Sequence, residues 1–297
     1  MRVNPNYATD MVGLMDQAQQ SEETAAQELS TGRRVNLPSD DPSAESAMIE
    51  ENSVSTAADQ YTANSDSLKD VLNTANSTLS SVVTLLQRAV SLGVEGANGT
   101  MNQTDLNSIA DEVSNIKSQV VSLANTSYAG QYLFSGTESS TMPYVTDPSD
   151  STQIDYVGND KQNEVQIGTG LSVAANLPGS SIFSQSGADV FDALQSLVTA
   201  LENGDSTAIG SAETSVNDSL NALDTAQVFY GNTVNQLTSN ETFLSEEKVN
   251  IATYQNTLVS SDTATATTQM TEAETALNAT VAAAAKLNQV SLLNYLS

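Results

Sequence analysis

The stretch that decides the fold is Ile209–Leu258, which reads IGSAETSVNDSLNALDTAQVFYGNTVNQLTSNETFLSEEKVNIATYQNTL. An apolar residue returns at every seventh position of this stretch without a gap: Ile209, Val216, Leu223, Tyr230, Leu237, Leu244, Ile251 and Leu258. Such a repeat is typical of a long helix whose apolar seam packs against other helices. Polar residues interrupt the companion row of the repeat, so partner helices must complete the burial. The stretch therefore predicts a helix of about 75 Å within a coiled-coil rod.

Two upstream stretches also show periodic spacing of apolar residues. Apolar or small residues recur at alternating spacings of three and four from Val54 to Gly93 and again from Leu106 to Leu123. The intervening segment Gly96–Gly99 contains glycines and an asparagine, which stop a helix. We therefore expect an antiparallel helical pair, with the long helix packed beside it. The predicted rod comprises residues 43–134 and 188–261.

Residues 135–187 are rich in turn-forming residues and lack the three- and four-residue spacing of apolar residues that is typical of a helix. Gln153–Val157 and Glu164–Ile167 alternate apolar and polar residues, and Gly158–Lys161 separates them. This pattern predicts that the two segments pair with each other as a β-hairpin. The segment Gly168–Gly170 lacks the third glycine and the helix of a dinucleotide-binding loop, so it is interpreted as a turn. The overall prediction is a mainly α chain with a small β-rich insertion.

The terminal segments 1–42 and 262–297 carry narrow apolar stripes. Such stripes bury too little surface to offset the entropy of ordering a lone helix, so we expect both ends to order on assembly. The candidate assembly residues in these helices are Met11, Leu14, Ala18, Leu29, Leu277, Ala284, Leu287, Leu292 and Leu293. Arg33 and Arg34 join this set. They are either a charge pair at a helix C-terminus or a clamp on the carboxylates of a neighbouring subunit.

Composition excludes many functions. The 297 residues include 36 acidic and 9 basic side chains, for a net charge of −27, which argues against nucleic acids and anionic membranes as partners. Histidine, cysteine and tryptophan are absent, which removes imidazole catalysis, thiol chemistry and the usual zinc and haem ligands. The longest apolar run, Val281–Ala285, is too short for a membrane span. The N-terminus has no apolar signal-peptide region, so ordinary signal-peptide secretion is not expected.

Carboxylates offer the remaining candidate chemistry. The adjacent acidic pairs, such as Glu246–Glu247, do not face one another on a helix and are interpreted as solvated surface. Asp147, Asp150 and Asp155 are either calcium ligands or turn caps. The spacing of a calcium-binding loop is missing, which favours turn caps. We therefore expect no catalytic residue, no metal site and no cofactor.

Several segments resemble those of a known family. The segments are Leu29–Pro42, Gly130–Thr137, Tyr156–Asp160, Asn176–Phe183 and Lys286–Leu296. Their sequences and order are similar to those of bacterial flagellins and of hook-associated protein 3, the hook–filament junction protein. The resemblance covers essentially the whole chain. Within the first segment, Pro38–Pro42 resembles the junction protein more than flagellin.

The resemblance implies an elongated, flagellin-like molecule that serves as a structural component of the bacterial flagellum. The terminal helices would form an inner assembly domain, and residues 135–187 would form an outer domain. The implied function is a junction ring that adapts the hook lattice to the flagellin filament. Implied partners are hook-associated protein 1, flagellin and further copies of this chain. The implied location is extracellular, after type III export without a cleaved signal peptide. An export chaperone would bind near Leu287, Val290, Leu293 and Leu296.

Two other functions are weighed against this one. A minor flagellin would share the terminal segments but would continue its own lattice. An enzyme displayed on a helical stalk would need a polar pocket in residues 135–187, and the sequence shows none. The large negative charge further suggests a salt-tolerant source, because salt screens repulsion between like-charged subunits.

Overall fold

The computed structural model describes the backbone of residues 7–295 and the side chains of residues 9–286. The helices are α1 (Tyr7–Thr31), α2 (Pro42–Ala97), α3 (Gln103–Ala124), α4 (Gly179–Ile182), α5 (Val190–Asn203), α6 (Ser206–Val259) and α7 (Thr263–Tyr295). The strands are β1 (Ser127–Tyr128), β2 (Gln131–Tyr132), β3 (Tyr144–Thr146), β4 (Ile154–Tyr156), β5 (Glu164–Gly168), β6 (Leu171–Ala174), β7 (Ser184–Gln185) and β8 (Ala188–Asp189). The prediction of a mainly α chain with a small β-rich insertion is confirmed.

The chain divides into two compact units. The first comprises Met1–Ala57 and Glu246–Ser297, and the second comprises Ala58–Ser245. Helices α1 and α7 belong to the first unit, whereas α3, α5 and the strands belong to the second. The finer division into terminal, rod and inserted domains at residues 42, 134, 187 and 261 stays a prediction.

The helices of the second unit form the predicted antiparallel pair. Helix α2 ends at Ala97, before Gly99 with its positive φ of 68°, and Asn102 caps the start of α3. Arg88 Nε lies 2.8 Å from Glu112 Oε1, which joins the two helices side by side. Nearer the turn, a β-carbon added at Gly96 would meet Leu201 of α5 at 2.5 Å. Glycine therefore allows α5 to pack closely against the end of α2.

The seven-residue repeat of α6 is the centre of the packing. The repeat residues from Ile209 to Ile251 are all buried, and Leu258 is half-buried. The α2 repeat is buried or half-buried from Ala58 to Gly93, as predicted. Its first predicted member, Val54, is 39 % exposed, so the seam prediction was wrong at that position. Within the second unit, Lys69 Nζ lies 2.6 Å from Glu241 Oε2 and ties α2 to α6.

The predicted β-hairpin was wrong in its pairing. The two segments do form strands, β4 and β5, but β4 pairs with β3 and β5 pairs with β6, both antiparallel. The turn at Gly168–Gly170 connects β5 directly to β6, and Gly170 has the positive φ, 71°, that such a tight turn requires. The segment Gly158–Lys161 instead packs near Gly136, because Asn159 Oδ1 accepts a hydrogen bond from Thr137 N at 2.9 Å. The alternating pattern predicted both strands but not the partner of either one.

Two asparagines attach the insertion to the helices. Asn64 of α2 donates a hydrogen bond to the Gln166 carbonyl at 2.9 Å, and Asn240 of α6 donates to the Ile167 carbonyl at 2.7 Å. These bonds satisfy carbonyl groups of adjacent residues in β5, so the strand is held between the two helices. An aromatic cluster fills the interior of the insertion: Phe134, Tyr144, Tyr156, Phe183 and Phe191. Phe191 belongs to α5, so this cluster also joins the insertion to the helical core.

Candidate functional site

Helices α1 and α7 pack against each other through small residues. The buried members are Ala18 and Ala25 of α1 and Ala266 and Ala273 of α7, with exposures of 9 %, 3 %, 1 % and 7 %. Each pair is separated by seven residues, so the contact repeats every two helical turns. Ser261 Oγ, just before α7, donates a hydrogen bond to Glu28 Oε2 at 3.0 Å near the end of α1. We call this contact the alanine seam.

The predicted assembly residues of α1 and α7 lie mostly beside the seam. Ala18 is in it, whereas Met11, Leu29, Leu277 and Ala284 are half-buried. Leu14 is 58 % exposed and its neighbour Val12 is 57 % exposed, so apolar surface of α1 remains uncovered by the described residues. The side chains of Leu287, Val290, Leu292, Leu293 and Leu296 lie outside the described residues.

An open groove of about 860 Å³ runs between the two helices. Its lining is dominated by short or polar side chains such as Gln17, Ser21, Thr24, Gln269 and Glu272. Among the described residues that line it there is no aromatic ring, no cation and no convergent set of titratable groups. The groove therefore has the character of a helix-packing surface and lacks the enclosed, apolar form of a small-molecule pocket.

The loop after α1 is the second part of the candidate site. Its backbone pairs with the α6–α7 junction, because Arg34 N donates to the Val259 carbonyl at 2.7 Å and Ser261 N donates to the Gly32 carbonyl at 3.0 Å. Val35 is buried with Ala44 and Val259 in a small apolar cluster. Sequence reasoning missed this cluster. Val35 and Leu37 are the two aliphatic residues of this loop, and Val35 is the one that is buried.

The two arginines of the loop behave differently. The Arg34 guanidinium lies 3.0 Å from Asp41 Oδ2 and donates to the Leu258 carbonyl at 3.1 Å. Hydrogen bonds from Ala44 N and then from Arg34 hold the pKa of the Asp41 carboxyl below its ordinary value. The Arg33 side chain is exposed, and no ion pair or hydrogen bond involves its guanidinium within the described residues. Arg34 therefore serves the chain's own fold.

Two of the three candidate aspartates of the insertion cap turns, and no turn-capping hydrogen bond to another described residue is seen for the third, Asp155, which lies in β4. Asp147 Oδ1 accepts a hydrogen bond from Ser149 N at 2.6 Å, and Asp150 Oδ1 accepts from Thr152 N at 2.9 Å, so both cap turns as predicted. Among the described residues, no cluster of three or more acidic side chains is arranged to hold a metal ion. Nor is any helix in the described part of the chain long and apolar enough to cross a membrane.

One buried cation lies apart from these surfaces. Lys117 of α3 donates hydrogen bonds to the Thr152 carbonyl and, at 2.8 Å, to Gln195 Oε1 of α5. Burial lowers the pKa of its ammonium group, with Asp192 opposing the shift. The contacts link α3, α5 and the turn between β3 and β4. We assign Lys117 a structural role, since both of its hydrogen bonds go to neighbouring elements of the insertion and core.

Comparison with known proteins gives the family of this fold. Residues 3–139 match the bacterial flagellin N-terminal helical region, and residues 213–296 match the bacterial flagellin C-terminal helical region. Together the two matches cover about three quarters of the chain. They include α1, the loop after it and α7, which form the candidate site.

Individual relatives agree with the two matches. Flagellar hook-associated protein 3 of Escherichia coli is 26 % identical over 290 residues, covering 90 % of each chain. Flagellin of Listeria innocua is 24 % identical over 268 residues, covering 90 % of this chain and 88 % of the flagellin. A flagellar hook-associated protein from Vibrio parahaemolyticus has a similar fold, with a TM-score of 0.68 and 23 % identity over 74 % of this chain and 99 % of its own. The chain therefore belongs to the flagellin-like family of bacterial flagellar structural proteins, and within that family it is a homologue of hook-associated protein 3.

Proposed function

We propose that this chain forms a ring at the junction between the flagellar hook and the flagellin filament and adapts one lattice to the other. Its homology to hook-associated protein 3 supports a structural role at this junction. The observation that carries the mechanism is the alanine seam, which leaves Val12 and Leu14 of α1 more than half exposed, with Leu14 at the groove beside the seam. A neighbouring subunit can cover these two side chains only after assembly.

The energetics of the seam favour assembly-dependent ordering. An alanine methyl group contributes about 0.8 kcal/mol on burial, so four of them stabilise the α1–α7 pair by about 3 kcal/mol. Ordering a residue costs about 1–2 kcal/mol of backbone entropy. Val12 and Leu14, both more than half exposed, would contribute further burial against a neighbour. We infer that the two helices reach full stability only inside the growing structure.

The proposed partners follow the order of assembly. Hook-associated protein 1 lies on the hook side, flagellin lies on the filament side, and further copies of this chain complete the ring. A cytoplasmic chaperone binds the C-terminal region, with Leu287, Val290, Leu293 and Leu296 as its contacts. Export then uses the flagellar type III channel without a cleaved signal peptide, and the chain performs no enzymatic reaction. The names and fold of the relatives support this scheme at the level of the flagellum.

Incorporation into isolated hooks tests the proposal. Purified chain is added to hook ends that carry hook-associated protein 1, followed by flagellin, and electron microscopy scores filament growth. We expect filaments only when the chain is present. Leu14→Asp should keep the fold, because the side chain is 58 % exposed, but should prevent incorporation. Val157→Asp, at a 42 % exposed site in the insertion, is the matched control and should incorporate normally. Failure of the wild-type chain to support filament growth would refute the junction role.

A minor flagellin is the second candidate, favoured by the Listeria relative that matches over most of the chain. A filament subunit must fit itself at both ends and therefore propagates without limit. Incubation of the chain alone at high sulfate distinguishes the two functions. Long homopolymers would support the flagellin role, whereas short rings or monomers would support the junction role.

A further inference from the structure

The loop of residues 31–41 holds its exposed side chains on a fixed backbone. Asp40 Oδ2 accepts hydrogen bonds from Asn36 N at 3.0 Å and from Leu37 N at 2.8 Å. Asn36 Nδ2 donates to the Arg33 carbonyl at 2.7 Å, and Arg33 N donates to Thr31 Oγ1 at 3.2 Å. The bonds from this loop to the α6–α7 junction secure it further. Arg33 and Leu37 therefore have a preorganised backbone, which reduces the entropy lost when their side chains bind a partner.

The side chains of Arg33 and Leu37 are both available to a binding partner. Leu37 is 55 % exposed, and the Arg33 guanidinium has no ion pair or hydrogen bond within the described residues. Arginine is enriched among the residues that contribute most to binding at protein interfaces, and Leu37 adds exposed apolar surface in the same loop. We call Arg33 and Leu37 together the loop knob.

Few basic side chains of this chain are available to pair with a carboxylate of another copy. Of the 9 basic residues, Arg34, Lys69 and Arg88 form ion pairs, and Lys117 is buried in hydrogen bonds. The net charge is −27, so two copies repel each other at long range. A stable contact between copies therefore needs an available cation placed against a carboxylate. Arg33 meets this requirement within the first unit.

A complementary surface lies on α2 of the same unit. Ile49 is 63 % exposed, and the following residue, Glu50, is exposed and has no ion pair within the described residues. We call these two residues the helix patch. Its aliphatic side chain and its carboxylate lie on adjoining faces of α2, and the loop knob offers an aliphatic side chain and a guanidinium from one loop. The two surfaces thus match in charge and in apolar character.

We propose that the loop knob of one copy docks on the helix patch of a second copy, with Arg33 paired to Glu50 and Leu37 packed against Ile49. Because the two surfaces differ, the contact is head-to-tail, and such contacts generate rings or helices. The inference deepens the proposed function, since it names the contact between neighbouring copies within the ring. A carboxylate of a different flagellar protein is the competing occupant of the loop knob.

Charge exchange between two variants tests the contact. Arg33→Glu places two carboxylates in the contact, and Glu50→Arg places two guanidinium groups there, so each variant alone should associate at least about tenfold more weakly than wild type, a loss of about 1.4 kcal/mol. In an equimolar mixture, alternation of the two variants restores a guanidinium–carboxylate pair at every contact, because the glutamate introduced at position 33 of one variant meets the arginine introduced at position 50 of the other, and Arg33 of the other meets Glu50. Sedimentation of the full chain and incorporation at hook ends would both recover to within about threefold of wild type.

The controls separate this contact from general charge effects. Lys161→Glu changes the net charge as much as Arg33→Glu does, and its exposed side chain lies in the second unit. It should associate like wild type, and the Arg33→Glu defect should shrink as salt rises from 0.1 to 1 M. Thermal melts would verify that each variant folds, as expected when the Arg33 guanidinium and the Glu50 carboxylate have no ion pair within the described residues.

Each outcome has a defined meaning. An Arg33→Glu chain that associates like wild type, or a Lys161→Glu chain that is equally impaired, would overturn the inference. A mixture that does not recover would assign Arg33 to a carboxylate other than Glu50 and would overturn it as well. If the wild-type chain itself does not add to hook ends, the proposed function fails. If wild type adds and Arg33→Glu adds equally well, only the inference about the loop knob fails.

Discussion

Placing a charge in the alanine seam should unfold α1 and α7 while leaving the second unit intact. Ala25 is 3 % exposed, so Ala25→Glu buries a carboxylate against α7 without a cation to pair with it. The four seam alanines contribute about 3 kcal/mol, which corresponds to at most about 100-fold protection of their amides from exchange. In α6 of the second unit, five buried repeat residues from Ile209 to Leu237 contribute about 1.5–3 kcal/mol each, roughly 10 kcal/mol together.

Hydrogen exchange with mass spectrometry measures this difference in the free chain. Peptides within 9–31 and 263–286 should exchange at least about 100-fold faster than peptides within 209–237. Ala25→Glu should abolish the remaining protection in the first two segments and leave the third unchanged. Gln27→Glu adds the same charge at an exposed position of α1 and should have little effect. Equal protection of α1 and α6 in the wild-type chain would refute the reasoning, as would an Ala25→Glu chain that exchanges like wild type.

Three further outcomes are expected in the free chain. Leu223→Ala, at a fully buried repeat position, should lower the unfolding free energy by about 2–5 kcal/mol in urea titrations, whereas Val228→Ala on the same helix, 60 % exposed, should change it by less than about 0.5 kcal/mol. Ala129 has a positive φ of 50° and Gly130 one of 81°, so in thermal melts Ala129→Gly should stabilise the second unit and Gly130→Ala should destabilise it, each by about 1 kcal/mol. The pKa of Asp41 is lowered in the fold, so its contribution to stability is present above its unfolded value of 3.8 and disappears as pH falls through the lower folded value. The stability difference between wild type and Asp41→Asn should accordingly be constant above about pH 5 and shrink below pH 4, and a constant difference across the titration would contradict this.

The helical seams could be predicted because their information is periodic. A residue buried on one face of a helix recurs at a spacing set by the backbone, so the α6 seam follows from the sequence of that helix alone. The exception at Val54 shows the limit of this reasoning. Periodicity indicates which face of a helix is apolar, but the presence of a neighbour at each end of that face depends on the tertiary arrangement.

Strand pairing was harder to predict for a related physical reason. Alternation in Ile154–Tyr156 and Glu164–Gly168 describes the two faces of each strand and carries no information about the hydrogen-bonding edge. In the structure β4 forms its hydrogen bonds with β3, and β5 forms its hydrogen bonds with β6. The turn at Gly168–Gly170 contained the useful signal, since a tight turn after β5 favours pairing with the residues that immediately follow it.

Some features of the candidate site also follow from the sequence, whereas others depend on the tertiary structure. The sequence by itself determined the helical class, the long seams, the small apolar stripes of α1 and α7 and the lack of histidine and cysteine chemistry, because these depend on composition and on local spacing. Only the tertiary structure decided that alanines meet along α1 and α7, that Arg34 pairs with Asp41 and that the Arg33 guanidinium remains exposed. Adjacent arginines are equivalent in a sequence. They become different when the chain folds, because the backbone pairing of the loop with Val259 and Ser261 turns one of them toward a carboxylate and leaves the other in solvent.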